Sequence, residues 1–232
     1  MPRPTVSPNC SRTKSVSKPS LPLSVFVTGT DTGSGKTYVS SLLVRARRAQ
    51  GIDCVGMKPL SCGGLEDAEA LHAACEGTLS INEINPVRLQ AFAAPYVAAM
   101  IEERVIDLGL IRETYARLAA NHAAIVVEGA GGWLVPITRD YFIADLAAEI
   151  GLPVVLVSAN RLGALNHTLL TVESIRQRGL TCAGIFLNQA RTPTEDDVIA
   201  IHTNRSVLEE VAGVPVLGVI EHGQTSLELP EQ

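Results

Sequence analysis

The sequence predicts an α/β fold, a doubly wound and mostly parallel sheet with helices on both faces. Three observations carry that expectation. Six short apolar runs alternate with segments of helical periodicity, which is the pattern of parallel strands joined by helical crossovers. Between the first apolar run and the first helical one lies Gly29-Thr-Asp-Thr-Gly-Ser-Gly-Lys36-Thr37, a glycine-rich turn of the kind that cradles phosphate in such folds. The length, 232 residues, suits one domain of this type with a full core.

Composition narrows the function. With 46% hydrophobic residues, 4% aromatics and a formal charge of -5, the chain has no basic stripe for nucleic acid, so small anions must be held by local devices. Cys10, Cys54, Cys62, Cys75 and Cys182 are odd in number and form no C-x-x-C, which indicates neither a disulfide framework nor a zinc site. A reducing, cytoplasmic setting is the expectation. The histidines show no metal-ligand spacing, and no run approaches the roughly 18 apolar residues of a membrane span.

Residues 1–22 are rich in Pro and Ser, carry Arg3, Arg12, Lys14 and Lys18, and lack acidic residues. They read as a disordered tail ahead of a single domain over 23–232. Organellar import through this acid-free start is the alternative. Leu23 to Val27 reads as the first strand, and the glycine-rich turn follows it. Its backbone N–H groups would face a phosphate chain, with Lys36 on the terminal phosphates and the Thr37 hydroxyl on Mg²⁺. Five residues separate Gly29 from Gly35, one more than in the general P-loop. Tyr38 to Gln50 carries Val39, Leu42, Leu43 and Ala46 at helical spacing.

Cys54 to Met57 reads as a second buried strand ending at Lys58-Pro59, which puts Lys58 on the same rim as Lys36. By position alone Lys58 is equally a solvated strand-end lysine. Ser61 to Gly64 reads as a loop and Glu66 to Cys75 as a helix, with Asp67 in its first turn, where a carboxylate also complements the helix dipole. Residues 76–96, broken by Asn85-Pro86 and Ala94-Pro95, have no periodicity to assign.

Asp107 to Asn121 shows a helical stripe, and the strand Ala124 to Val127 then runs into Glu128-Gly-Ala-Gly-Gly132. A carboxylate at a strand tip followed by small residues suits a Mg²⁺-triphosphate site. Pro153 to Val157 is another strand, followed by Leu162-Gly-Ala-Leu-Asn-His167 and a helix to Gly179. The N–H groups of 163–166 would open that helix and could hold an anion; Asn166 is equally an ordinary cap. A strand from Cys182 to Leu187 ends in Asn188, a helix spans Thr194 to Ala212, and Pro215 to Ile220 is the sixth strand.

Five segments occur here in one order: Gly29-Thr-Asp-Thr-x-x-Gly-Lys-Thr37, Gly56-x-Lys-Pro59, Val127-Glu-Gly-Ala-Gly-Gly-Trp133, Leu162-Gly-x-x-Asn-His167 and Asn188. Over about residues 23 to 220 they resemble the dethiobiotin synthetase family. The resemblance implies a P-loop NTPase-like fold and an ATP-dependent cyclo-ligase of biotin synthesis, with 7,8-diaminononanoate, carbon dioxide or bicarbonate, and ATP as substrates. It also implies Mg²⁺ and a homodimer with shared sites. By matching positions, Lys36 and Lys58 are the catalytic residues, and Thr37, Asp67 and Glu128 surround the metal. Gly33, Ser34, Gly35, Lys36, Thr37 and Tyr38, with Asp67, Glu128, Gly129, Ala130, Gly131, Asn188 and Gln189, form the ATP site. Thr32 and Cys62 meet the diamine, whose carboxylate reaches Gly163, Ala164, Leu165 and Asn166 of a neighbouring subunit.

The chain departs from the family pattern in places. Cys62 stands where a small hydroxyl residue is common, Gly33 and Ser34 replace an acidic residue and Val, Tyr96 replaces His, and Glu221-His222 follows Ile220 where Pro is usual. Two other readings compete. A cobyrinate amide synthase needs a glutaminase domain for which no chain remains. A partner-regulating ATPase switch usually has a surface-binding helix and a lysine-rich P-loop.

Overall fold

The structure, a computed structural model, describes residues 21–192 and 194–230. Most of the expected 1–22 tail therefore lies outside the described residues. Leu21 and Pro22 belong with the domain: Leu21 packs into the core, and the carbonyl of Pro22 accepts a hydrogen bond from the Arg47 guanidinium.

β1 (Val25–Gly29) leads through the glycine-rich turn into α1 (Lys36–Ala49), and β2 (Cys54–Met57) follows. A compact excursion comes next, made of β3 (Leu60–Cys62), α2 (Glu66–Ala74), α3 (Ile81–Ile84), β4 (Val87–Leu89) and α4 (Pro95–Ile101). α5 (Leu108–Asn121) returns the chain to β5 (Ala124–Glu128), after which β6 (Pro136–Thr138), β7 (Tyr141–Phe142) and α6 (Ile143–Ile150) lead to β8 (Val154–Ala159). α7 (Ala164–Gln177), β9 (Cys182–Asn188), the 3₁₀ turn Glu195–Asp197, α8 (Val198–Val211) and β10 (Val216–Ile220) follow.

The six expected strands form one sheet in the order β10-β9-β8-β1-β5-β2, and each pairing is parallel. Strands buried on both faces read as continuous apolar runs, as these do. β1 is central: Phe26 aligns with Val127 on one side and Val154 on the other. Phe26 is completely buried, and truncating such a side chain to alanine costs roughly 3–5 kcal/mol. At the ligand edge the turn after β1 is therefore flanked by Glu128, ending β5, and by Asn160, following β8. That edge is where open sheets of this type bind ligands.

Three expectations need correction. Ser61 and Cys62 are not loop residues but lie in β3, which pairs with β4 in a separate two-stranded sheet. Asn166 does not cap α7: Gly163 does, at φ +90, and Asn166 lies within the helix. The last long helix begins as a 3₁₀ turn, and its α-helical part starts at Val198. The unassigned stretch 76–96 holds α3, β4 and the start of α4. Ser80 and Glu83 close a capping box on α3, and Pro95 opens α4 at a position where its missing N–H is harmless.

Candidate active site

Burial and backbone geometry shape the glycine-rich turn. Gly33 and Gly35 lie at φ +74 and +91, conformations that L side chains rarely adopt. A Cβ on Gly35 would sit 1.8 Å from Nδ2 of Asn188. That amide donates to the carbonyl of Ser34 at 2.9 Å, so Asn188 braces the turn from the end of β9. Lys36 is buried to 6% exposure, and its Nζ donates to the Asp31 carbonyl at 3.2 Å. Burial, with the charge of Lys58 adding to it, pulls the Lys36 ammonium down to about 8.

Beside it, four side chains from four elements converge. Nζ of Lys58, following β2, lies 2.6 Å from Oδ2 of Asp67 in the first turn of α2 and 2.6 Å from Oε1 of Glu128 at the tip of β5. It also donates to the Gly129 carbonyl at 3.3 Å. The Thr37 hydroxyl at the start of α1 is 2.6 Å from Oδ1 of Asp67 and 2.7 Å from Oε1 of Glu128. Burial draws Lys58 down, but the charges and hydrogen bonds of Glu128 and Asp67 outweigh it and hold the ammonium above its ordinary range. Burial likewise opposes ionisation of Asp67, and Lys58 overcomes it, so that carboxyl is held below its usual range.

These residues fit a hard divalent cation. Thr37 has one hydroxyl proton and two carboxylate oxygens within reach, and Oε2 of fully buried Glu128 has no partner among the described residues. Surplus acceptor capacity at one point is what a cation satisfies. Among the described residues no group of three or more His, Cys, Asp or Glu is placed to hold a metal ion. Two carboxylates and a hydroxyl instead suit Mg²⁺, which keeps waters and phosphate oxygens in its shell.

Lys36, Thr37, Lys58 and Asp67 open onto a cavity of about 520 Å³, with Thr32, Cys62, Ala130 and Gly131 also in its wall. The Cys62 thiol is half-buried, and burial with nearby Glu102 pushes it up to about 11. A second cavity, about 200 Å³, lies across the turn between Thr30–Ser34, Asn160, Ala164 and Asn188. Gln189 is in its wall, while Tyr38 turns toward the C-terminal segment and donates to the Gln224 carbonyl.

The structure thus brings together Lys36, Thr37, Lys58, Asp67 and Glu128, with Thr32 and Cys62 on the same cavity. It does not bring Gly163, Ala164, Leu165 and Asn166 there: of these, Ala164 lines the second cavity and none lines the first. One residue that supports the cluster went unread. Asn85, fully buried, donates through Nδ2 to the Lys58 carbonyl at 2.9 Å and accepts from the Ser61 hydroxyl at 2.8 Å. The Lys58 N–H adds a 2.8 Å bond to the Ile84 carbonyl. The dipeptide Asn85-Pro86 signals a breaker; nothing in its spacing signals that its amide pins the lysine.

Comparison with known proteins bears on family and fold. The family model described as AAA domain matches residues 24–227. The ATP-dependent dethiobiotin synthetase BioD of Akkermansia muciniphila is 46% identical over 88% of this chain and 94% of its own length. The protein of that name from Anaeromyxobacter dehalogenans is 52% identical over 75% of this chain and 78% of its own. In fold alone the chain is similar to chloroplast FtsY of Physcomitrella patens, with TM-score 0.53, 16% identity and cover of 91% of this chain and 63% of that one. It is likewise similar to the septum site-determining protein MinD of Pyrococcus horikoshii, with TM-score 0.50, 17% identity and cover of 85% and 81%. With the lysine pair, the strand-tip glutamate and the glycine-rich turn in place, and relatives of one name matched over most of both chains, the protein belongs to the dethiobiotin synthetase family.

Proposed function

We propose that the protein makes dethiobiotin from 7,8-diaminononanoate, carbon dioxide and ATP. The observation that carries this reading is the meeting of Lys58, Thr37 and Asp67 with buried Glu128 at 2.6–2.7 Å, where the first three open with Lys36 onto one cavity. Such a site suits phosphoryl transfer, where charge neutralisation and in-line positioning matter more than a protein nucleophile.

Carbon dioxide adds to one amine with loss of a proton, giving a carbamate. A carbamate oxygen attacks the γ-phosphorus, ADP leaves, and a carbamic-phosphoric anhydride results. The second amine then attacks the carbonyl carbon, loses its proton and expels phosphate, closing the ureido ring. Backbone N–H groups of 33–37 and the Lys36 ammonium hold the triphosphate. Lys58 stabilises the carbamate and the phosphoryl group in flight. Glu128, Asp67 and Thr37 would hold Mg²⁺, which supplies positive charge to the phosphate oxygens when bound. Gly129, Ala130 and Gly131 let the ligand approach closely, and Thr32 and Cys62 line the diamine side. Tyr38, Asn188 and Gln189 serve the nucleotide side, Asn188 while bracing the turn.

The segment 163–166 receives the diamine carboxylate from a second copy of the chain. That none of these residues lines the lysine cavity within one chain supports a site completed by a homodimer. A single domain that takes in Leu21 and Pro22 as well as the expected 23–232, working in the cytoplasm, is part of this reading.

The test is ADP release with and without diamine and bicarbonate, paired with mass detection of dethiobiotin. Release that depends on both, with product formed, is the expected result. Hydrolysis indifferent to the diamine would sink the reading in favour of a partner-regulated ATPase switch.

A further inference from the structure

Three buried polar side chains on the far side of the turn carry no step of the chemistry above, although Asn160 and Asp197 also line the second cavity. They are Asn160 after β8, Asp197 before α8 and Asn204 within α8, at 5%, 4% and 2% exposure. Their hydrogen bonds converge on one loop, residues 160–162, which leads into α7. Oδ1 of Asp197 accepts from the Leu162 N–H at 3.1 Å, while its Oδ2 takes Arg191 Nη2 at 2.8 Å and the hydroxyl and N–H of Thr194 at 2.8 and 3.1 Å. Nδ2 of Asn204 donates to the Arg161 carbonyl at 3.1 Å and to Oδ1 of Asn160 at 2.9 Å. The Arg161 carbonyl can only accept, so it fixes which way the Asn204 amide faces and, through it, the Asn160 amide.

The network continues to the phosphate-binding turn. The Asn160 N–H donates to the Asn188 carbonyl at 2.9 Å, and the Asn188 side chain holds the Ser34 carbonyl. A chain of hydrogen bonds thus runs from Ser34 to the Arg161 carbonyl, and Asp197 separately holds the next residue, Leu162, one short of Gly163, the cap of α7. α7 has no side-chain cap on its first turn. Its position is set from outside the helix. Burying a carboxylate and two amides is a poor route to stability, because apolar residues of similar volume often do as well. A network of this cost, aimed at one loop, is better explained by what the loop must hold still.

We propose that Asp197 and Asn204 are positioning residues for substrate recognition: they fix the first turn of α7 so that its N–H groups meet the carboxylate of a diamine bound to a second copy. This rests on the role given above to 163–166.

Steady-state kinetics with two substrates test it, 7,8-diaminononanoate and a vicinal diamine of equal chain length without the carboxyl group. Asp197→Ala should raise KM for the acid by about 10-fold, the scale of one lost charge-assisted hydrogen bond. Its kcat, its KM for ATP and its KM for the carboxyl-free diamine should stay within about 2-fold of wild type. Asp197→Asn keeps an oxygen for the Leu162 N–H and should return KM for the acid to within about 3-fold. If Asp197→Ala does not fold, Asn204→Leu must give the same selective rise. An equal rise for both diamines, or a rise in KM for ATP instead, would overturn the proposal while leaving the role of 163–166 intact. A wild-type enzyme that handles both diamines with the same KM would overturn that role, and the proposal with it.

Discussion

On the β5 side of the glycine-rich turn, ionisable groups pair with one another: buried Lys58 against buried Glu128 and half-exposed Asp67, with Lys36 next to them. On the β8 side the buried polar groups are mainly amides, with one carboxylate answered by several donors. The two sides share an origin, since β1 pairs with β5 on one flank and β8 on the other. They differ in what they leave over. The charged side keeps an unpartnered Glu128 oxygen and more acceptors at Thr37 than its one proton can serve, surplus acceptor capacity of the kind a cation satisfies. The amide side leaves over one buried donor, Nδ2 of Asn160, and directs its other hydrogen bonds at the backbone of one loop. A side built to react and a side built to hold should respond differently to mutation.

The largest expected effect tests the reactive side. Lys58→Ala should lower kcat by at least about 10²-fold, the scale of losing one preorganised charge donor. It should also lower stability by roughly 3–5 kcal/mol, because Glu128 would be left buried without its partner. Rapid-quench turnover and denaturant melts read the two effects separately. A near-normal kcat would erase the contrast between the sides.

Glu128→Gln sharpens it further. The amide keeps shape and loses the charge that a divalent ion needs, so the Mg²⁺ concentration for half-maximal activity should rise about 10- to 100-fold. Affinity for free nucleotide should hold. An unchanged Mg²⁺ titration would exclude Glu128 as a ligand.

How far each side could be read from sequence follows the same division. Lys58 and Glu128 each follow an apolar run at once, and Lys36 and Thr37 close the glycine-rich turn after another, so a parallel sheet with its strand ends on one rim places them together. Asp67 needs only the first turn of the next helix. The amide side has no such signal. Asn160, Asp197 and Asn204 are common polar residues on separate elements, and what makes them meet is the β8–β9 pairing followed by the return of α8. Asn85 is hidden for another reason: its neighbour Pro86 marks a break, and a side-chain bond to a backbone carbonyl 27 residues away leaves no periodic trace. β3 and β4 are three residues each and pair only with one another, too short for alternation to show.

The pH dependence of nucleotide binding probes the reactive side without mutation. Lys36 sits at about 8 in the ligand-free protein rather than at 10.5, because it is buried near Lys58. A bound polyanion favours its protonated form, so the bound state holds the proton to higher pH than the free state does. Binding is therefore linked to proton uptake above that pKa. Affinity should be flat at low pH and fall by up to about 10-fold per unit as pH rises past 8. Calorimetry in buffers of different ionisation heat would show the uptake, and Lys36→Ala should flatten the slope.

The smallest effect is expected at Cys62, which lies on the reactive cavity but outside the charged cluster. Its thiol, pushed up to about 11, stays neutral at working pH and is a weak donor. Ser61 cannot stand in for it, because the Ser61 hydroxyl is engaged with Asn85. Cys62→Ser would place an ordinary hydroxyl donor on the cavity wall with little change in volume. One neutral hydrogen bond is worth about 1 kcal/mol, so KM for the diamine should fall by about 2- to 5-fold. Because the bond would form equally in ground and transition states, kcat should not move. A change in kcat of about 10-fold or more would place Cys62 among the groups that feel the developing charge, and the boundary of the reactive side would have to be drawn to include β3.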